Sequence, residues 1–268
     1  MSKNLSDLIV LIRGAGEIAS GIAHTLHCAH FAVCLIDISN PMAVRRQVSF
    51  CEAIYEGSKT IEGVTAKYIS SPADIYTLWN EGKIPILVDP ENTIRRRLKP
   101  TILVDAIMAK RNLGTCLSDA SFVIGTGPGF YAGRDVHIVI ETNRGHDLGR
   151  LISEGEAEAD TKVPGIVGGF SSERVLRAPA AGQFKALKNI GDEVKEKEAV
   201  ASVSDKLIKT QISGIIRGLL RNDTMVYKGM KVGDVDPRGL KEYCYTISDK
   251  VRAIAGGVLL AILIRYNM

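Results

Sequence analysis

Between Gly125 and Arg150 the chain concentrates residue types that could do chemistry: Gly-Thr-Gly-Pro-Gly-Phe-Tyr-Ala-Gly-Arg-Asp-Val-His-Ile-Val-Ile-Glu-Thr-Asn-Arg-Gly-His-Asp-Leu-Gly-Arg. Gly125, Gly127 and Gly129 let a loop bring backbone N–H groups close to an anion. Arg134, Arg144 and Arg150 offer planar forks of donors suited to phosphate. Asp135, Glu141 and His146, with Asp105 upstream, are candidate catalytic groups; carboxylates and imidazole are the usual general acids and bases. The alternating run Val136–Ile140 predicts a strand, so these groups would sit at strand rims. Asp105, Asp135, Glu141 and His146 are expected to converge near the Gly125 loop, with Asp105 within about 15 Å of Gly127 if one pocket holds both. The competing reading is a strand flanked by ordinary polar turns.

A second glycine cluster lies near the start. Leu8–Ile12 is a continuous apolar run of the kind found in a buried parallel strand. Arg13-Gly14-Ala15-Gly16-Glu17-Ile18-Ala19 follows, and Ile18, Ile22 and Leu26 continue at helical spacing. A strand is predicted over Phe31–Ile36, ending in Asp37. Strand, Gly-x-Gly-x-x-Ala, helix, strand, acid is the order of a dinucleotide-binding fingerprint. Gly14 would make the tight turn, Gly16 would admit a phosphate to the helix amino terminus, and Asp37 would accept a ribose hydroxyl. Glu17 stands at the mouth of this turn and opposes a pyrophosphate there. Further strands are predicted over Ile84–Val88, Thr101–Val104 and Ser121–Ile124, and a helix over Asp74–Gly82. Strand-end acids and glycine turns would then gather on one sheet edge, with Lys110 and Arg111 able to balance Asp105 or bind an acidic ligand.

The second half carries an internal repeat. At an offset of 32 residues, Gly182 aligns with Gly214, Phe184 with Ile216, Leu187 with Leu219, Val194 with Val226, Val200 with Val232 and Val203 with Val235. Neither half can bury its apolar face alone, so the two are expected to form one β-barrel. Gly191-Asp192-Glu193-Val194 resembles the hallmark turn of biotinyl/lipoyl domains, and Lys206 aligns with the lysine that carriers modify. Val203 replaces the usual upstream glutamate, which favours an ordinary turn lysine. Ser248 is the expected N-cap of a C-terminal helix with Ile247, Val251, Ile254, Val258 and Ala261 on its apolar face.

The fold expected is therefore α/β: a Rossmann-like parallel sheet domain (1–170), an inserted biotinyl/lipoyl-like β-barrel, or barrel-sandwich, module (171–240), and a C-terminal helix packing back on the first domain (241–268). The net charge of +4 is too small to call for nucleic acid or an anionic membrane. No signal peptide and no apolar run of membrane-spanning length is apparent. Five cysteines without a Cys-x-x-Cys fit a reducing, cytoplasmic setting. His24, His27 and His30 lack a neighbouring carboxylate, so no metal is expected.

The motifs Gly125–His137, Glu141–Arg150, Val232–Arg238 and Ile247–Leu259 resemble the YqeB family, accessory proteins of the selenium-dependent molybdenum hydroxylase system. The resemblance runs from about Leu8 to Leu263. It implies a bacterial protein that matures hydroxylases such as xanthine dehydrogenase, binds a molybdopterin-type cofactor or a nucleotide, and has the hydroxylase or its maturation factors as partners; a homo-oligomer is among the states it allows. Alternatives are an NAD(P)-dependent oxidoreductase, resting on the Gly14 loop and Asp37; a lipoyl/biotinyl-type carrier, resting on Lys206; and a docking scaffold that holds a partner enzyme through the barrel.

Overall fold

The computed structural model describes residues 5–266. They fall into two compact units, one of Met1–Pro41, Ser49–Asp160 and Ile247–Met268, the other of Met42–Val48 and Thr161–Thr246.

The first unit contains, in chain order, β1 (Ile9–Arg13), α1 (Glu17–Cys28), β2 (Ala32–Asp37), α2 (Glu52–Glu56), β3 (Ser58–Ile61), β4 (Val64–Tyr68), α3 (Ile75–Asn80), β5 (Ile84–Val88), α4 (Arg95–Leu98), β6 (Ile102–Asp105), β7 (Phe122–Thr126), β8 (Tyr131–Ala132), β9 (Ile138–Ile140), β10 (Leu151–Ile152), β11 (Gly155–Glu156) and, from the end of the chain, α5 (Asp249–Tyr266). Nine strands form one sheet in the order β10-β9-β7-β6-β1-β2-β5-β4-β3. The strands from β4 to β9 run parallel.

Both ends of the sheet are antiparallel, β3 against β4 and β9 against β10. This corrects the expected Rossmann-like parallel sheet to a large mixed sheet. A doubly wound parallel sheet needs helical crossovers on both faces. Here the path from β6 to β7 carries only a single 3-10 turn, Leu117–Asp119, and the path from β7 to β9 carries only β8. The outer hairpin forms because Glu62 and Gly63 take φ of 44° and 86°, the left-handed pair that a two-residue hairpin turn requires. Its strands, Ser-Lys-Thr-Ile and Val-Thr-Ala-Lys-Tyr, are half polar and carry no strong apolar signal.

The central strands are apolar because both faces are covered: Val10, Leu11 and Ile12 are fully buried. On α1, Ala19, Ile22, Ala23 and Leu26 are buried, each large aliphatic contributing about 1.5–3 kcal/mol. Helix α5 packs on α1, where Gly21 leaves room for Val251, and it buries Val251, Ile254, Val258 and Ala261. Ser248 stands at the N-cap position, where its carbonyl accepts from the Arg252 amide at 2.9 Å, while its hydroxyl donates to Glu17 Oε1 at 3.2 Å.

The second unit holds β12 (Val175–Arg177), β13 (Gly182–Ala186), β14 (Glu193–Val194), β15 (Ala199–Val203), β16 (Lys206–Lys209), β17 (Gly214–Leu219), β18 (Met225–Val226) and β19 (Lys231–Asp236). They make two four-stranded antiparallel sheets, β12-β19-β17-β14 and β16-β15-β13-β18. The expected single barrel-sandwich module is corrected accordingly. Each sheet ends in open edges, two of them the two-residue strands β14 and β18, which are too short to close a barrel.

The repeat is nevertheless written into the pairing. Gly182 pairs with Val226 and Gly214 with Val194, the reciprocal partners at the repeat offset. The Phe184 amide donates to Thr224 O, and the Ile216 amide to Asp192 O, both at 2.9 Å. Each half thus lends a strand to the other's sheet. Phe184, Val194, Val200 and Val203 and their counterparts Ile216, Val226, Val232 and Val235 are all buried in one core.

Candidate functional site

The carboxyl ends of β1, β2, β6, β7 and β9 lie along one edge of the mixed sheet, where an open α/β sheet places its ligand crevice. The first turn leaves β1 at Gly14, whose amide donates to Ile36 O at 2.8 Å. At Gly14, φ is +93° and a Cβ would stand 3.0 Å from Ala106 O. The second turn presses Gly129 (φ +107°) on the backbone of Arg111, where a Cβ would come within 2.6 Å. The segment from Ala106 to Arg111 is therefore clasped between the two glycine turns. Thr126 Oγ1 closes the same arrangement by donating to Asp105 O at 3.0 Å, which places Asp105 beside the Gly125–Gly129 loop.

Gly16 differs from both. It is the N-cap of α1 with φ of −70°, which any residue adopts, and a Cβ on it would meet nothing within 4 Å. Neither conformation nor packing asks for glycine there. The open space at Gly16 lies at a helix amino terminus, where the helix dipole and the backbone N–H groups favour an anion.

The acids at this edge hold backbone. Asp37 Oδ2 accepts from the Ala15 amide at 2.7 Å and Oδ1 from the Ile38 amide at 2.8 Å. Burial nonetheless raises its pKa against the lowering effect of those two bonds. Asp89 accepts from Thr93 Oγ1 at 2.9 Å and the Ile94 amide at 2.8 Å. Glu141, itself buried, accepts from the amides of Thr142, Asn143 and Glu158, each at 2.7 Å. Asp105 is buried with Arg13: Arg13 Nη1 lies 3.1 Å from Oδ2, Thr115 Oγ1 donates to the same oxygen at 2.6 Å, and Arg13 also reaches Thr115. Burial raises the Asp105 pKa, opposed by Thr115 and the Arg13 charge. Asp105 is thus balanced by Arg13, so of the two roles open to Lys110 and Arg111 the charge-balancing one falls to Arg13 instead. The signal was present: Arg13 is a lone cation ending an otherwise apolar strand.

Asp105, Glu141 and His146 share this edge; Asp135 does not. Ile138 pairs with Ile124 and Ile140 with Thr126, so the turn before β9 lies at the opposite, amino edge. There Arg134 binds Asp135 through Nε at 3.1 Å and Nη2 at 3.0 Å and stacks over Tyr131 at 4.8 Å. The hydrogen bond from Arg134, opposed by desolvation, leaves the Asp135 pKa below the usual range. Arg144 is engaged by both oxygens of Asp249, at 2.8 and 2.9 Å, and Arg150 by Asp147 at 3.2 Å. None of the three arginines singled out in the sequence is an uncommitted phosphate ligand. His146 is exposed on the β9–β10 turn.

Lys250 was not singled out in the sequence. It is half-buried in the first turn of α5, and its pKa is lowered by burial and then by the charges of Lys110 and Arg144, against Glu17 and Asp160. Its neighbours come from four separate stretches of chain, so spacing could not reveal it. Among the described residues no group of three or more His, Cys, Asp or Glu could hold a metal, and no helix is long and apolar enough to cross a membrane. Lys206 is exposed at the start of β16, just after the Ser204–Asp205 turn.

With this geometry in place, comparison with known proteins finds Escherichia coli K12 YqeB, an uncharacterized protein, 46% identical over 255 residues. The chain is related to YqeB. The match takes in 95% of this chain but 47% of YqeB, so the chain spans about half the length of that relative. No family model matches. Among solved structures, TcdA (CsdL) is 12% identical over 98% of this chain and 90% of its own, with a TM-score of 0.35. An aspartoacylase family protein from Mesorhizobium loti is 12% identical over 75% of this chain and 56% of its own, TM-score 0.25. The product-bound ectoine utilization protein EutE (DoeB) from Ruegeria pomeroyi is 10% identical over 81% and 61%, TM-score 0.25. Scores of this size do not define a shared fold.

Proposed function

We propose that the chain is an accessory protein of molybdenum hydroxylases that holds the phosphates of a molybdopterin-type cofactor, or of a nucleotide, at the amino end of α1. The observation that carries this reading is Gly16, a glycine that neither backbone nor packing requires, beneath open space at a helix amino terminus. Lys110 and Lys250 supply positive charge at the same edge, and an anion there would relieve their mutual repulsion. The hydroxylase setting comes from the resemblance of the glycine and arginine motifs to the YqeB accessory proteins; the kinship with YqeB agrees with that resemblance but carries no function of its own.

In this reading the cofactor is cargo. The chain's own groups do the work: the amides at the α1 amino terminus bind phosphate, the two glycine turns fix Ala106–Arg111 beneath it, and Asp37 and Glu141 brace the loops. Asp37 keeps a spare lone pair on each oxygen, which leaves a ribose hydroxyl able to donate to it. The partner is a hydroxylase or one of its maturation factors, in the cytoplasm.

The test is anaerobic purification from a host that makes molybdenum cofactor, followed by oxidation and fluorescence detection of released pterin, with nucleotide measured in parallel. Near-stoichiometric pterin or nucleotide is expected. Gly16→Ala should strip it while leaving thermal stability within about 0.5 kcal/mol of wild type. Gly14→Ala, which forces a Cβ against Ala106, should cost about 1–2 kcal/mol. Ligand retained in full by folded Gly16→Ala would overturn the site, and stoichiometric NAD(P)H binding with turnover would replace the function.

A further inference from the structure

The second unit has a groove that the proposed function does not use. A cavity of about 320 Å³ lies between β12 and β16, lined by Val175, Leu176 and Arg177 on one side and Leu207, Ile208 and Lys209 on the other. Both strands are outermost in their sheets.

The hairpin register shows which backbone groups face it. Ser204 and Asp205 form a two-residue turn at φ of 46° and 63°, so Val203 and Lys206 are the bonded pair that closes the hairpin. Bonded positions alternate along an antiparallel pair. Lys206 and Ile208 therefore bond inward, and Thr210 continues the series by donating to Glu198 O at 3.0 Å. Leu207 and Lys209 turn their N–H and C=O groups to the free side. An open edge of this kind is a template for a further strand.

The side chains say what kind of strand fits. Val175, Leu176 and Ile208 are buried, whereas Leu207 is 54% exposed on the outer face. Arg177 and Lys209 line the cavity, Lys206 stands exposed at the start of the same strand, and no acid lines it. Among the described residues, neither Lys206 nor Lys209 has an ion-pair partner. Lysines on an edge strand deter pairing with chance partners, and an acidic segment turns that deterrent into recognition.

We propose that this groove receives an extended acidic peptide, alternating apolar and acidic side chains, which adds a strand to the free edge of β16. Main-chain hydrogen bonds to Leu207 and Lys209 would supply affinity, and Lys206, Lys209 and Arg177 would supply selectivity, as in other strand-addition complexes.

Fluorescence anisotropy of the whole chain with a labelled peptide of four Glu-Val repeats, against one of four Lys-Val repeats, tests this. The acidic peptide is expected to bind at least about tenfold more tightly. Leu207→Pro removes an outward N–H and no ladder bond, so it should weaken binding about tenfold with unchanged circular dichroism. Should that variant fail to fold, Lys206→Glu with Lys209→Glu alters only exposed side chains and should reverse the preference. No binding at about 1 mM acidic peptide, equal binding of both peptides, or self-association through this edge that Leu207→Pro abolishes would each overturn the proposal.

Discussion

Both units draw carboxylates partly or wholly out of solvent, and they use them differently. In the mixed-sheet unit, Asp37, Asp89 and Glu141 cap the amides of the loops that leave the strands, and among the described residues none of the three has an ion-pair partner. In the repeat unit the acids meet arginines: Asp234 binds Arg174, and Asp236 binds Arg238 at 2.7 Å and faces Arg217 at 3.7 Å. A carboxylate that caps amides shapes a loop without adding a cation. A carboxylate paired with arginine ties one strand or turn to another. The first device suits an edge that must present open backbone to a ligand; the second suits a module whose strands cross between two halves. Two acids of the mixed-sheet unit join both devices: Asp105 caps the Ile107 amide at 3.2 Å and also carries Arg13, and Asp119 caps the Cys116 amide at 3.1 Å and pairs with Arg95 at 3.2 Å.

The largest effects should come from breaking a buried ion pair. Asp105→Ala leaves Arg13, and Asp234→Ala leaves Arg174, as a buried cation stripped of its main partner. Each should cost about 3–5 kcal/mol in urea unfolding. Glu141→Gln should cost less, about 1–3 kcal/mol, because it removes no ion pair. It turns an amide NH2 toward amides that need an acceptor, and the loss should appear in hydrogen exchange as faster opening of Thr142, Asn143 and Glu158. If Glu141→Gln destabilises more than Asp234→Ala, the contrast between capping and pairing fails.

The same contrast explains how much could be read from sequence. The parallel strands of the sheet centre announce themselves as unbroken apolar runs, and β1, β2, β5, β6 and β7 fall where those runs lie. The repeat offset foretells reciprocal pairing because Gly182 and Gly214 must oppose Val226 and Val194. The antiparallel hairpin of β3 and β4 escapes because half of its residues face water. The closed barrel is wrong because apolar spacing gives the faces of strands but not whether edges meet. The two glycine turns do share one sheet edge, as their positions after apolar runs foretell. Contacts between distant segments do not show as spacing: Arg13 reaches Thr115, and Lys250 draws neighbours from Glu17, Lys110, Arg144 and Asp160. Arg144 looks like a free phosphate ligand until α5 brings Asp249 to it.

The smallest expected effect is in pH dependence, and its sign should divide the two classes. Burial raises the Asp37 pKa over the lowering by its amide bonds. For Asp236, burial also pushes upward, but the hydrogen bonds and charge of Arg238, with the charge of Arg217, leave the net value lowered. A carboxyl raised on folding contributes stability that is complete below its unfolded pKa and is lost as pH rises through the folded value. One lowered on folding contributes stability above its unfolded pKa and loses it as pH falls through the folded value. Between pH 6 and pH 3, about the range spanning ordinary and shifted carboxyls, wild type should therefore gain stability relative to Asp37→Asn and lose it relative to Asp236→Asn. Amide exchange in β1 and β2 for the first pair, and in β17 and β19 for the second, reads each unit separately. Slopes of the same sign would mean that amide caps and arginine pairs hold their carboxylates alike, and the division between the units would then rest on geometry alone.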